Sequence, residues 1–271
     1  MLRVGALAAV VAMLVSGCAV PSSADTSPGP PGTVVDNFDG PSSSLPDPAI
    51  WDYDLGPWQD DGLQRYTTSP DNVRLDGQGH LVIQARTTPE GYTSARPVTR
   101  GKLSMLYGRV SARIKFPEGQ GIWPAFWMLG SDFLDVGWPF SGEIDLMELV
   151  NDGKTYHVAL HGPQGQTDYY GGVKVSPQFV GTSGPIADLT DDFHDYWLDW
   201  RPNSIVVGVD DRTLATFTPA SLPPGGEWVF NKPMYALLNV AVGGPWPGPP
   251  DATTPWPATM LVDWFKYEPT G

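Results

Sequence analysis

Cysteine and basic residues are both scarce in this chain of 271 residues. The single cysteine excludes an intrachain disulfide, so the folded state has to be stabilised by its apolar core. There are 16 Lys and Arg against 30 Asp and Glu, which gives a formal net charge of −14. Because a charge of that sign repels phosphate, we expect no nucleic acid partner and no polybasic surface for anionic lipid.

Long stretches without glycine or proline are also missing. The chain has 31 glycines and 29 prolines, and the longest run free of both is 186–201. Since both residue types interrupt helices, this excludes a helical bundle and a coiled coil. Apolar residues make up 41% of the chain, and 11 residues are tryptophan. The composition is that of a folded protein, and its indole rings suit sugar recognition as well as core packing.

The first 33 residues have the composition of a targeting segment. Residues 1–17 carry one cation followed by an apolar run, the pattern of a secretory signal peptide. They lead into Cys18 through Val-Ser-Gly, which is similar to a bacterial lipobox; an ordinary signal with an incidental cysteine is the alternative. Residues 18–33 are rich in Pro, Ser and Gly and predict a tether. We therefore expect export to the cell envelope or beyond, membrane contact only through lipid on Cys18, and one monomeric folded domain at 34–271.

Several segments alternate between apolar and polar residues with the period of a β-strand. Val110, Ala112, Ile114 and Phe116 share one face of such a segment, and similar patterns occur at 81–85, 205–209 and 260–267. Turn-forming residues separate these segments. The pattern predicts an all-β fold of two stacked antiparallel sheets, a sandwich or jelly roll, with helix confined to a turn or two.

Three carboxylates lie within one of the predicted strands, 141–150. Alternation places Glu143 and Asp145 on the same face, and a β-bulge near Leu146 or Met147 would bring Glu148 to that face as well. Like charges so close together cost stability and therefore need a function. Hydrolysis of a glycosidic bond supplies one, since a retaining glycosidase needs a carboxylate nucleophile and a protonated carboxylic acid. Repulsion and burial would raise the pKa of one of them enough for it to donate a proton.

The segment Gly-Glu-Ile-Asp-Leu-Met-Glu at 142–148 resembles the signature of glycoside hydrolase family 16, in the bulged form of laminarinase-type endo-β-1,3-glucanases. Further blocks fit the same family in order: 107–110, 112–117, 119–130, 138–139, 160–162, 192–196, 238–244, 246–248 and 260–263. The resemblance implies a concanavalin-like β-jelly roll with a concave substrate cleft. It also implies that Glu143 is the nucleophile, Asp145 its assistant and Glu148 the general acid/base.

The resemblance further implies residues that bind the sugar. Trp123, Trp127 and Trp138 map onto inward-facing aromatic positions of the family, with core packing as the alternative for each. Trp246 lies in a Gly-Gly-Pro-Trp-Pro-Gly loop and is expected at the rim of the cleft. The family more often has asparagine at the position of Pro245, so a hydrogen bond to sugar from that position is in doubt here.

Two further cleft residues are implied by the same resemblance. His161 corresponds to a histidine beside the acid/base, where it would hydrogen-bond Glu148 or the leaving sugar, or else serve only the fold. Arg96 is similar to a cleft arginine that binds sugar hydroxyls, with an exposed cation as the alternative. The segment 60–66 has acids and glycine where the family commonly has amides, so contacts from this loop are expected to differ.

No cofactor is expected to be required. The three acids could be a metal site, but their strand offers no other ligand nearby in the sequence, so we do not predict a metal there. Members of the family often carry a structural calcium with one ligand in the last strand, and Asp263 matches that position. Calcium at Asp263 is thus an expectation, with a solvated or hydrogen-bonded aspartate as the alternative.

The function predicted from these features is a retaining endo-glycosidase that hydrolyses β-glucan, most of all β-1,3-glucan of the laminarin type. A β-1,3-1,4-glucanase and a wall-remodelling transglycosylase of the same fold remain as alternatives. A non-catalytic β-glucan-binding module is the rival of a different class. The presence of both glutamates with the intervening aspartate favours an enzyme.

Overall fold

The computed structural model describes residues 29–57, 62–164, 180–186 and 189–270. The predicted signal peptide, Cys18 and most of the tether lie outside these residues. No helix in the described ranges is long and apolar enough to cross a membrane.

Seventeen strands in the described residues form two sheets, and almost every pairing is antiparallel. The first sheet has the order β15-β14-β13-β8-β17-β5-β6-β3, with β1 paired to β17 and β4 paired to β5. Its strands are β1 (Val34–Asp36), β3 (Gln64–Tyr66), β4 (Val73–Leu75), β5 (Leu81–Thr88), β6 (Gly91–Ser94), β8 (Gly108–Lys115), β13 (His194–Arg201), β14 (Ser204–Val209), β15 (Arg212–Phe217) and β17 (Ala258–Glu268).

The second sheet has the order β12-β11-β10-β9-β16-β7-β2. Its strands are β2 (Asp52–Asp54), β7 (Arg96–Val98), β9 (Ile122–Gly130), β10 (Glu143–Leu149), β11 (Thr155–His161), β12 (Val180–Pro185) and β16 (Met234–Val242). Neighbours in space are often distant in sequence, as where β9 lies between β10 and β16. This is the β-jelly roll predicted from the sequence.

The core lies between the two sheets and follows the strand alternation. Val110, Ala112, Ile114 and Phe116 are all buried, as the spacing predicts. The opposite face of the seven-stranded sheet is open and carries the three acids. Helix in the described residues is limited to α1 (Phe133–Val136) and a 3-10 turn at Pro219–Ser221. The run 186–201, although free of glycine and proline, ends in strand β13, because its last residues pair with both β8 and β14.

Candidate active site

The acids share one face because strand β10 contains a bulge. Its pairing with β11 shifts register between Asp145 and Glu148, and its pairing with β9 shifts between Asp145 and Met147. Leu146 and Met147 are consecutive, yet both are fully buried in the core. The extra inward residue restores the phase, so Glu148 joins Glu143 and Asp145 on the open face, where all three line one cleft. The predicted bulge is confirmed.

The cleft crosses the sheet on both sides of β10. Over β11 and β12 it has a volume of about 480 Å³, and over β9 and β16 a narrower part of about 130 Å³. Indole rings stand at opposite ends of the acid strand. Trp138 lies by Glu143, with its ring 6.0 Å from that of His161, while the ring of Trp246 lies 5.1 Å from that of Trp123, beside Glu148. A linear ligand could therefore extend to either side of the acids.

Each glutamate accepts a hydrogen bond from an indole. Trp123 Nε1 donates to Glu148 Oε1 at 2.8 Å, and Trp138 donates to Glu143. Trp127 lies between them on β9, but its Nε1 donates to Asn239 Oδ1 at 2.7 Å. An N–H donor stabilises the ionised form of the carboxyl group that accepts it, so two of these three indoles act directly on the acids.

Burial is the largest effect on both glutamates. Burial and then the charge of Asp145 raise the pKa of Glu143 to about 8. The same two causes hold the pKa of Glu148 well above its usual value. The charge of an ionised Glu143 raises the pKa of Glu148 still further. Loss of one proton, from Glu143, therefore makes the second proton on Glu148 harder to remove, which yields one carboxylate and one carboxylic acid.

Asp145 lies between the glutamates on β10, and its carboxyl group contacts a histidine. Its side chain is almost completely buried, and His161 Nε2 lies 2.9 Å from Asp145 Oδ2 and 3.7 Å from Glu143 Oε1. The charge of His161 lowers the pKa of both Glu143 and Glu148, which opposes the effect of Asp145. Asp145 and His161 together form a charge pair that holds the nucleophile side of the site.

Arg96 supports the narrow side of the cleft. It is 2% exposed, its Nη2 donates to Tyr66 Oη at 3.0 Å, and its guanidinium lies 5.2 Å from the ring centre of Trp127. Its charge lowers the pKa of Glu143. The alternative that Arg96 is an exposed surface cation is therefore wrong.

Comparisons with known proteins agree with this geometry. The model of the glycosyl hydrolases family 16 matches residues 62–266. The chain belongs to glycoside hydrolase family 16. A beta-glucanase of Rhodothermus marinus is 38% identical over 85% of this chain and 82% of its own length. Glucan endo-1,3-beta-glucosidase A1 of Niallia circulans is 33% identical over 81% of this chain, which spans only 33% of that protein.

Solved structures of family 16 members show the same fold. The laminarinase from Rhodothermus marinus superimposes with a TM-score of 0.75 at 36% identity, covering 88% of this chain and 97% of that one. The resemblance inferred from the 142–148 segment, the jelly-roll fold and membership of a glycoside hydrolase family are thus confirmed.

The structure places the predicted family 16 site residues as follows. Trp123 and Trp127 line the cleft, although Trp127 is only 8% exposed and packs in a small apolar cluster against which Trp138 also packs. Trp138 lies beside His161, and Trp246 is 44% exposed at the rim as expected. His161 is in the cleft, but it contacts Asp145 and Glu143, whereas a contact with Glu148 was one of the two expected for it. Asp60 and Asp61 lie outside the described residues. Gln64, in the same segment, is buried and accepts a hydrogen bond from the backbone of Val242, so its contact serves the fold.

Two cleft residues were not predicted from the sequence. Asn239 of β16 accepts the hydrogen bond from Trp127, and His157 of β11 lines the wide side of the cleft. His157 lies four residues before His161, and strand alternation places both on one face. That spacing could have identified it.

The two candidate metal positions, at Asp263 and at the acids of β10, differ in how many ligand atoms come together. Asp263 is 8% exposed, and its Oδ2 lies 3.2 Å from Arg113 Nε, so its charge is matched by a guanidinium. His80 and Asp195 lie close enough to act on its pKa, but within the described ranges Asp263 belongs to no group of three His, Cys, Asp or Glu ligand atoms, and calcium there stays a prediction. Among those residues, only Glu143, Asp145 and His161 bring three ligand atoms together, within 4.8 Å. The histidine was expected beside Glu148, and its 2.9 Å contact is instead with Asp145.

Proposed function

We propose that this family 16 glycoside hydrolase is a retaining endo-β-glucanase that cleaves β-1,3-linked glucan of the laminarin type. The observation that carries the proposal is the pair of glutamates on one face of the bulged strand, each bonded to its own indole, in a cleft that continues to both sides. A binding module would need the aromatic walls but would not need two buried acids, which cost stability.

In the proposed reaction each group takes the role that the family resemblance implies. Glu143, once ionised, attacks the anomeric carbon and forms a glycosyl-enzyme. Glu148 gives its proton to the oxygen of the departing sugar, then takes a proton from the water that releases the product. The indole N–H of Trp123 stabilises the carboxylate that Glu148 becomes after this transfer. Asp145, held by His161, keeps negative charge beside both glutamates and so maintains the proton on Glu148.

Endo action and the β-glucan substrate are supported by the shape of the site and by the relatives. The open space on both sides of β10 lets a polymer continue past the acids in either direction. The Rhodothermus marinus relatives are a beta-glucanase and a laminarinase. Mixed-linkage glucan and transfer to a sugar acceptor remain as alternatives, because neither changes the acids that the reaction needs.

Product analysis tests this proposal. Purified protein is incubated with laminarin, mixed-linkage glucan and agarose, and reducing ends and oligosaccharide lengths are measured. We expect internal cleavage of laminarin, with the β-anomer formed first in NMR spectra. The Glu143→Ala variant should be inactive, and azide should then restore turnover with an α-glycosyl azide as product. Tight binding without new reducing ends would make the protein a binding module, and an initial α-anomer would exclude retention.

We also propose that the protein is exported and anchored through lipid on Cys18. The support is the sequence alone: an apolar leader, a lipobox-like tripeptide, and the only cysteine of the chain at its end. Expression in a bacterium fed with a palmitate analogue should label the wild type and leave Cys18→Ser unlabelled and released from membranes. Equal labelling, or no labelling of either, would exclude this anchor.

A further inference from the structure

His157 has no role in the mechanism above, although it lies in the cleft. Its backbone pairs with that of Glu148 across the β10–β11 ladder, and its side chain lines the wide side of the cleft. Neither ring nitrogen is hydrogen-bonded to any residue in the described part of the chain. His161, four residues along the same face, is by contrast engaged with Asp145. His157 thus offers an unused donor and an unused acceptor beside the general acid.

The surroundings of His157 form a space for a polar ring. The residues next to it on the open faces of β11 and β12 are small: Ala159, Gly181 and Ser183. The indole of Trp246 stands against the imidazole with ring centres 4.7 Å apart and an angle of 81° between the planes. This edge contact restrains the imidazole, while the small neighbours leave the volume beside it open.

Burial also fixes the charge of this histidine. His157 is half-buried, and burial lowers its pKa below the ordinary value. At neutral pH it is therefore an uncharged imidazole with one N–H donor and one nitrogen acceptor. A sugar hydroxyl group both donates and accepts hydrogen bonds, so it matches either nitrogen.

We propose that His157 is a specificity-determining residue that hydrogen-bonds the sugar on the leaving-group side of the cleaved bond. The proposal rests on the function given above, in which Glu148 protonates the oxygen of the departing sugar. The departing sugar begins at that oxygen, and His157 is the residue opposite Glu148 on the adjacent strand. His161, opposite Glu143, lies on the nucleophile side.

A consequence concerns sugar acceptors. The glycosyl-enzyme reacts with either water or a sugar hydroxyl group. Glu148 assists whichever of them reaches the anomeric carbon. A sugar acceptor occupies the place that the leaving sugar vacated, because the second step is the reverse of the first in geometry. His157 therefore favours transfer to sugar over hydrolysis at high substrate concentration.

The test uses a His157→Phe variant, which keeps an aromatic ring against Trp246 and removes both nitrogens. Laminarihexaose places a sugar on the leaving-group side, whereas 4-nitrophenyl β-laminaribioside places a nitrophenyl group there. We expect kcat/KM on the hexaose to fall about tenfold, the effect of one hydrogen bond, and kcat/KM on the aryl glycoside to stay within about twofold. The share of transfer products from the hexaose should fall as well. His157→Gln, which retains a donor and an acceptor, should recover part of the loss.

The matched control is His194→Phe, the same chemical change outside the cleft, where the imidazole is bonded to Asp210 at 2.7 Å. It should leave kcat/KM on both substrates unchanged. Equal losses of the His157→Phe variant on both substrates, or no loss on the hexaose, would overturn the proposal. If the wild type cleaves neither substrate, the proposed function is wrong. In that case, calorimetric binding of laminarihexaose to the Glu143→Ala protein tests His157 separately. Adding His157→Phe to this protein should weaken binding about tenfold. Unchanged binding would refute the role of His157.

Discussion

Replacing single indoles by phenyl rings should move the two limbs of the pH profile separately. The hydrogen bond from Trp123 Nε1 to Glu148 Oε1 is 2.8 Å long and stabilises the ionised form of Glu148. Its removal in Trp123→Phe should raise the pKa of Glu148 above its already raised value. Glu148 must be protonated to act as an acid, so the alkaline limb of kcat/KM should move to higher pH.

The size of the shift follows from the strength of such a bond. A hydrogen bond to a charged group contributes about 1.5–3 kcal/mol, and about 1.4 kcal/mol corresponds to one pKa unit. The alkaline limb should therefore move by roughly 1 to 2 pH units. Trp138→Phe removes the donor to Glu143, which must be ionised to attack, so here the acidic limb should move upward by a similar amount.

Trp127→Phe is the matched control for both variants. It removes an equally short indole bond on the same strand as Trp123, but the acceptor is the uncharged Asn239. Neither limb should move. The assay is kcat/KM on laminarin from acid to alkaline pH, with the fold checked by circular dichroism. A movement of the acidic limb by Trp123→Phe would exchange the roles of Glu143 and Glu148, and equal shifts in all three variants would refute the reasoning.

Two further predictions concern stability. Burial raises the pKa of Glu148, so ionisation of this group opposes folding. The resulting loss of stability grows as the pH rises from the pKa of Glu148 in the unfolded chain towards its pKa in the folded protein. Glu148→Gln should thus match the wild type in Tm near pH 4 and exceed it by about 3 °C or more at pH 8; a higher Tm at pH 4 only would contradict this. Trp200→Phe should lower the free energy of unfolding by about 2 kcal/mol, because Trp200 is fully buried and its Nε1 donates to Phe230 O at 2.9 Å. A urea midpoint equal to that of the wild type would show that this bond contributes nothing.

The arrangement of the acids could be predicted from the sequence because it depends on neighbours in one strand. Alternation placed Glu143 and Asp145 together, and the need to bring Glu148 to their face indicated a bulge, which the register of β10 confirms. The same two-residue alternation of apolar and polar residues also predicted the strands β8, β14 and β17. Such local features need no knowledge of which strands lie side by side.

The partners of these acids could not be predicted in the same way, because they come from distant strands. Arg96 is buried since Tyr66 of β3 and Trp127 of β9 meet it across the fold. No property of the segment around Arg96 distinguishes this from an exposed position. The contact of His161 with Asp145 likewise depends on the β10–β11 register, which pairs Asp145 with Ala159 and Glu143 with His161.

The tryptophan content has a further explanation in this site. An indole offers a flat apolar ring and a single N–H donor, and phenylalanine offers only the ring. If the cleft needed sugar stacking alone, phenylalanine or tyrosine would serve at Trp123 and Trp138. Both indoles instead donate to a catalytic glutamate, and Trp123 therefore adjusts the pKa of an acid with its nitrogen while its ring lines the cleft. A loss of activity on replacing either tryptophan is therefore evidence of sugar stacking only when the pH profile stays in place.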